Sequence, residues 1–516
     1  MLFNSYVFVF AFLPAVLSLW YAAEAFGQPR LGQTILVGMS LVFYGYGHPE
    51  YILLILVSIL GNYTVSALIA RVDGKKRQAS RLRMTFGIAG ILFNAGLLFY
   101  FKYYDFFVWN VDRFMDTGLA VRNIALPLGI SFFTFQQISF IVDRMWGRAE
   151  HYGILDYLNY VTFFPQLVAG PIVNHGDLAP QFGAIGSGRR RLLADKEAAI
   201  ESFENGICLF IAGLAKKVLL ADTLGAVVDF GYGNVGGLDA VSALVVMLAY
   251  TFQIYFDFSG YCDMAVGLGW MMQIRLPQNF NSPYKSTSVR EFWNRWHMTL
   301  NAFFAQYIYI PLGGSRCGTA KMLRNTMLVF LVSGIWHGAA WSFVLWGAAH
   351  GVVVCAERLW EKRLSGTRPG QWWLTHVPKR MRMWGGWLYT FLFVNLAWVL
   401  FRSGSISVAI QLYRRLFSFS SEGKIWKLAA LMERSWNYQM RVWIESSAGE
   451  AFVPLFLLCV LVAFLVVAAA LCAGKNARQW IVEKEGAVGR MWGLAFLFAL
   501  CVLSFSGVTT FLYFNF

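Results

Sequence analysis

Apolar residues along this chain gather in blocks of about 20, the length a helix needs to cross a hydrocarbon core. Clear blocks cover 6–26, 31–46, 51–70, 85–101, 125–142, 241–258, 325–356, 387–401, 452–473 and 491–511, with weaker ones at 157–173 and 203–220. The pattern predicts an all-α polytopic membrane protein of roughly ten to twelve transmembrane helices and excludes a single-span or surface-anchored chain. The first block is read as a retained helix. Ala23-Glu24-Ala25 mimics a cleavage site, but no positive residue precedes the apolar stretch, which is long for a leader. Polar loops at 357–384 and 403–450 interrupt the C-terminal half, yet no linker and no internal repeat divides the chain. Residues 1–516 are therefore expected to form a single membrane domain.

Composition agrees. The chain is 58% hydrophobic and 14% charged, with mean hydropathy +0.52, whereas a soluble protein carries roughly a quarter charged residues. The net charge of +15 comes from clusters in loops: Arg71, Lys75, Lys76, Arg77, Arg81 and Arg83; Arg189, Arg190, Arg191 and Lys196; and Arg358, Lys362, Arg363 and Arg368 onward to Arg382. Such clusters mark cytoplasmic loops rather than a nucleic-acid surface. Three blocks precede the first cluster, so the N-terminus is expected outside. The seven cysteines are scattered with no C-x-x-C pair, so neither a metal site nor a disulfide framework is expected.

Three segments place polar groups where a membrane makes them costly. Asp257 and Asp263 are the only charges between Val241 and Gln273. A carboxylate at the bilayer centre costs about 2.5–3.5 kcal/mol, so it should be paired or face a polar cavity; Gly260 suggests a helix break beside it. In Arg290–Leu300, helical spacing puts Arg290, Asn294 and His297 on one face, with Glu291 and Arg295 as an i,i+4 pair. In Ser333-Gly334-Ile335-Trp336-His337-Gly338, His337 lies within 325–356, a stretch without Asp, Glu, Lys or Arg. Periodicity alone leaves it open between structural glue and a working acid or base. The flanking Gly334 and Gly338 allow a ligand or another backbone to come close. His350, thirteen positions on, would lie roughly 20 Å along a continuous helix and is read as structural. His48, His151, His175 and His376 are read as solvated loop residues.

These segments resemble the membrane-bound O-acyltransferase family, and within it the bacterial branch that acetylates polysaccharides such as alginate. The resemblance runs through Met1–Ser5, Leu126–Phe135, Phe163–Ile172, Gly213–Asp222, Asp257–Asp263, Asn279–Tyr284, Phe292–His297, Tyr309–Gly314, Trp336–Gly338 and the final Phe511–Phe516. It departs at Phe303-Phe304-Ala305-Gln306-Tyr307, where relatives carry a Trp-Leu-Arg-Asp-Tyr-like stretch.

The resemblance implies a helical bundle around a central cavity, His337 as the principal catalytic residue and His297 as a second essential polar group. Asn294, Trp336, Gly338, Ser333, Asp257 and Arg295 are the expected supporting or cavity-lining residues. Acetyl-CoA is the expected donor substrate, met by Lys216 and Lys217, with no permanently bound cofactor. The implied setting is the bacterial inner membrane, with an envelope polysaccharide as acceptor and a periplasmic SGNH-type acetyltransferase as partner. D-alanyl transfer to an envelope polymer, a secondary transporter and a haem-binding subunit are the competing readings.

Overall fold

The computed structural model describes residues 1–72, 77–419, 424–434, 437–483, 487–505 and 511–512. Lys75 and Lys76 of the first basic cluster lie outside them, as do Tyr513, Phe514, Asn515 and Phe516 of the closing motif. All regular elements among the described residues are helical, which satisfies the backbone within each segment as lipid demands. Among the described residues, six helices are long and apolar enough to cross a membrane: Phe8–Ala25, Glu50–Arg71, Ser80–Met115, Ala240–Met271, Lys379–Arg402 and Glu450–Ala473. Other expected blocks are helical but shorter, such as Pro29–Gly45 with 17 residues and Ile130–Met145 with 16. The weak block at 157–173 divides at Phe163, whose extended ψ of 105° separates Ile154–Thr162 from the short Phe164–Leu167 turn.

The chain divides into two compact units, Met1–Phe210 with Tyr261–Gln278, and Ile211–Gly260 with Asn279–Leu512. In the first, buried Phe8, Phe12, Phe43 and Phe164 pack ring against ring. A reciprocal amide pair, Asn62 with Asn94 at 2.6 and 3.1 Å, satisfies two polar side chains within the apolar interior. His175 is not solvated as expected. The buried Ile172-Val173 stretch carries it inward, and its ring lies between Asp143 at 3.1 Å and Tyr152 at 2.9 Å.

The second unit corrects three helical expectations. Ala240–Met271 runs unbroken through Gly260. That glycine instead admits a neighbouring backbone: a Cβ there would lie 2.7 Å from the Gly213 carbonyl oxygen. The 325–356 block is a hairpin. Thr319–His337 ends at Gly338, which is extended, and Trp341–Gly366 follows Ala340. Gly334 faces Phe343 and Gly347, Gly347 faces Phe330, and Gly351 faces Met327, the register of antiparallel helices. Side chains on Gly334 or Gly347 would collide with the facing backbone, so these glycines serve close helix packing. Lastly, the helix carrying Arg290 and Asn294 stops at Arg295; Trp296 is extended and Met298–Phe304 begins a new helix.

Candidate active site

The break at Trp296 turns His297 away from the Arg290–Asn294 face on which helical spacing had put it. His297 adopts φ 46° and ψ 51°, a left-handed conformation costing about 1–2 kcal/mol for a residue with a Cβ. Its ring is fixed by Asn279: His297 Nδ1 lies 3.1 Å from Asn279 Oδ1, which also accepts from the Thr299 N–H at 3.2 Å and the Thr299 hydroxyl at 2.9 Å. A backbone N–H can only donate, so the Asn279 atom it meets is the carbonyl oxygen and not the amide nitrogen. His297 must then donate from Nδ1, which makes Nε2 the basic nitrogen of a neutral imidazole.

His337, 2% exposed, ends its helix in a cage of aromatic rings. Trp336, Trp346 and Phe401 stand edge-on to it, with centroids 4.9, 5.1 and 5.0 Å away. The Trp336 indole also lies 6.2 Å from the His297 ring, so one indole borders both imidazoles. The hairpin overturns the distance that had set His350 aside. Trp346 touches both His337 and His350, the latter at 4.9 Å. His350 is itself buried and accepts a hydrogen bond from Trp293 Nε1 at 3.1 Å, a packing role consistent with its structural reading.

Beside this layer is a cavity of about 280 Å³, bounded by Arg290, Asn294, Tyr309, Ser333 and Arg358 among others. Along Thr319–His337 it extends from Thr326 to Ser333, about 10 Å of helix rise, and Ser333 precedes His337 by one turn on the same face. Trp293 closes the other wall, 5.6 Å from Trp346. The end that carries Arg290 and Arg358 is built by capping: Ser288 accepts from the Glu291 N–H at 3.0 Å, Glu357 accepts from the Val289 and Arg290 N–H groups at 2.7 and 2.9 Å, and Arg290 itself pairs with Glu361 at 2.6 Å. Arg358 donates to the Tyr309 hydroxyl at 2.6 Å, while its buried Nε has no hydrogen-bond partner among the described residues. Phe304 and Ala305, from the stretch where the chain departs from the family pattern, also line the cavity.

The expected supporting residues therefore separate. Asn294 and Ser333 line the cavity, and Trp336 borders both histidines. Gly338 forms the hairpin turn against the Phe343 ring. Arg295 turns outward to the expected partner Glu291 at 2.9 Å. Partial burial raises the Glu291 carboxyl pKa, but hydrogen bonds from Thr287 and Arg295 outweigh this and hold it below its ordinary value.

Asp257 is held at 2.6 Å from Lys217 and accepts the Leu512 N–H at 3.0 Å; Lys217 also meets Asp222 at 2.8 Å. Lys217 is 1% exposed, so its ammonium is committed to two carboxylates and is not a phosphate contact as had been expected. Lys216 lies with its ammonium 6.0 Å from the Tyr255 ring, outside the cavity lining. Replacing Lys217 with methionine should destabilise the protein by about 3–5 kcal/mol, since a buried carboxylate loses its partner. Thermal unfolding in detergent checks this, and the folded fraction should keep the wild-type KM for the acyl donor. Unchanged melting with a raised KM would restore the phosphate-binding role.

Sequence reasoning missed Asn279, Trp346 and Arg358. Asn279 had a signal in the Asn279–Tyr284 motif, and Arg358 belonged to a basic loop cluster read chiefly as a mark of topology, with a phosphate-rich ligand as the lesser alternative.

Comparison with known proteins bears directly on this arrangement. Residues 146–400 match the model of MBOAT, the membrane-bound O-acyltransferase family. Peptidoglycan O-acetyltransferase of Helicobacter pylori is 35% identical over 551 aligned positions, covering 100% of this chain and 98% of that protein. The probable alginate O-acetylase AlgI of Pseudomonas aeruginosa is 36% identical over 439, covering 84% and 77%. Teichoic acid D-alanyltransferase of Bacillus subtilis is 27% identical over 256, covering 47% and 61%. A relationship spanning the whole chain displaces the transporter and haem-subunit readings: the protein is a multi-pass O-acyltransferase and belongs to the membrane-bound O-acyltransferase family.

Proposed function

We propose that this acyltransferase takes acetyl from cytoplasmic acetyl-CoA and delivers it for O-acetylation of an extracytoplasmic polysaccharide in a bacterial inner membrane. The observation that carries the reading is the cavity with arginines at one end and Ser333, one turn from His337, at the other. Arg358, and Arg290 on exchanging its pairing with Glu361, suit the phosphates of the donor, and the narrow interior suits its pantetheine arm. Arg358 opens the basic stretch assigned to the cytoplasm, so the donor enters from that side.

The chemistry needs a base, a stabilised oxyanion and exclusion of water. His337 takes the proton of the acceptor hydroxyl as its oxygen attacks the thioester carbonyl. The C–S bond then breaks, and the proton passes to the leaving thiolate. His297, locked with Nε2 basic, orients the reacting groups. Relatives named for peptidoglycan and for alginate support a polysaccharide acceptor, reached directly or through a periplasmic SGNH-type acetyltransferase.

Proteoliposomes supplied with radiolabelled acetyl-CoA on the face carrying the basic loops test the proposal. Acetyl should be transferred to added glycan or partner, or released by slow hydrolysis. Arg290→Gln with Arg358→Gln should raise KM for acetyl-CoA by about tenfold or more, the worth of one charge-assisted hydrogen bond, with a smaller change in kcat. Wild-type vesicles that leave acetyl-CoA untouched, with glycan and partner both present, would refute the donor assignment.

A further inference from the structure

A second and larger hollow has no part in this chemistry. It is a groove of about 880 Å³ between the Lys379–Arg402 helix, the C-terminal half of Val453–Ala473 and the Tyr284–Thr287 turn. Both helices belong to candidate membrane spans, which puts the groove within reach of bilayer lipid. Its walls are nearly all apolar, formed by residues such as Leu465, Val466 and Ala469, whereas one end carries Lys285 and Arg380. Both cations are exposed, and neither is ion-paired among the described residues.

The tryptophans beside the cationic end suit a membrane surface. Trp384, 68% exposed, and Trp387 meet edge-on at 5.6 Å beside it, as interfacial tryptophans do. Trp387 Nε1 donates to the Tyr284 carbonyl at 2.9 Å, tying the turn that carries Lys285 to the helix that carries Arg380. Lys379 and Arg382 flank Arg380 in the sequence and add to the positive potential there. Among the described residues, no carboxylate lines the groove.

We infer that this groove is a binding site for an anionic glycerophospholipid, with acyl chains along Val453–Ala473 and phosphate between Lys285 and Arg380. The charge decides the class of occupant. An apolar groove alone would accept any acyl chain, and a zwitterionic headgroup gains little from two unopposed cations. Basic pockets between membrane helices near a surface select anionic headgroups, at about 1 kcal/mol per cation.

The test uses the full chain, stripped of native lipid in detergent, with dioleoyl phosphatidylglycerol or dioleoyl phosphatidylcholine added and bound lipid counted by native mass spectrometry. Wild type should retain phosphatidylglycerol in preference to phosphatidylcholine. Lys285→Gln with Arg380→Gln should weaken the phosphatidylglycerol adduct by roughly 25-fold, about fivefold per charge. Val466→Trp, which keeps both cations, should also lower it by filling the groove; Val466 is 61% exposed, so the core is undisturbed. Equal retention of both lipids by wild type would overturn the inference, as would an unchanged phosphatidylglycerol adduct in either variant.

Discussion

Replacing His337 with alanine is expected to lower acetyl transfer by about 10²–10⁴-fold, the usual contribution of a positioned general base, equivalent to about 3–5 kcal/mol in the barrier. The structural alternative is specific. His337 touches three aromatic rings, so truncating it also opens a small void in a packed layer, and lost packing could itself lower activity. The two explanations separate by readout. A packing defect lowers the melting temperature and the amount of folded enzyme, but leaves turnover per folded molecule near normal. Loss of a base lowers kcat in folded protein and leaves donor binding largely intact, because the arginines at the cavity end are untouched. His337→Gln gives the second comparison: it refills much of the volume and keeps polar atoms, yet cannot take a proton at neutral pH. A glutamine variant with wild-type turnover would remove His337 from the chemistry, whatever the alanine variant does.

How far such a site can be read from sequence depends on which property of a residue is local. Membrane class was legible because blocks of lipid-crossing length need no tertiary information. His337 and Asp257 stood out as polar groups in apolar stretches, a signal of cost rather than of role. The structure then gives them different fates: Asp257 is neutralised by Lys217, 40 positions earlier in the chain, whereas His337 sits among rings a turn from a cavity. That division could not be read along the chain, because it turns on which helices meet.

Periodicity failed where the backbone departs from a helix within a few residues. The Arg290–His297 face was right for Arg290 and Asn294 and wrong for His297, since one extended residue at Trp296 and one left-handed residue at His297 redirect the chain. The same holds at Gly338. There a glycine next to His337, expected to give room to a ligand or another backbone, is the hairpin turn that brings His337 and His350 to one indole. Breaks of this kind are stabilised by contacts elsewhere, here by Asn279 accepting from Thr299 just beyond the bend.

That role of Asn279 carries the second large prediction. Asn279→Leu should lower kcat by about 10²-fold, the cost of misplacing a reacting group by an ångström or so, with little change in KM for acetyl-CoA. Leucine keeps the approximate volume but removes the acceptor that holds the proton on Nδ1, so His297 can take the other tautomer and lose its basic Nε2. The Thr299 N–H also loses its acceptor, which costs about 1–3 kcal/mol of stability, so a drop in melting temperature is expected and does not by itself distinguish the roles. Asn279→Asp does. A carboxylate accepts from both His297 and Thr299, restores the tautomer and should bring kcat back to within about tenfold of wild type, even though a buried charge is destabilising. If Asp and Leu variants lose turnover equally per folded molecule, the acceptor at position 279 does not set a tautomer that turnover needs. If Asp recovers turnover while its melting temperature stays low, fixing the tautomer is its function, because stability and activity then move in opposite directions.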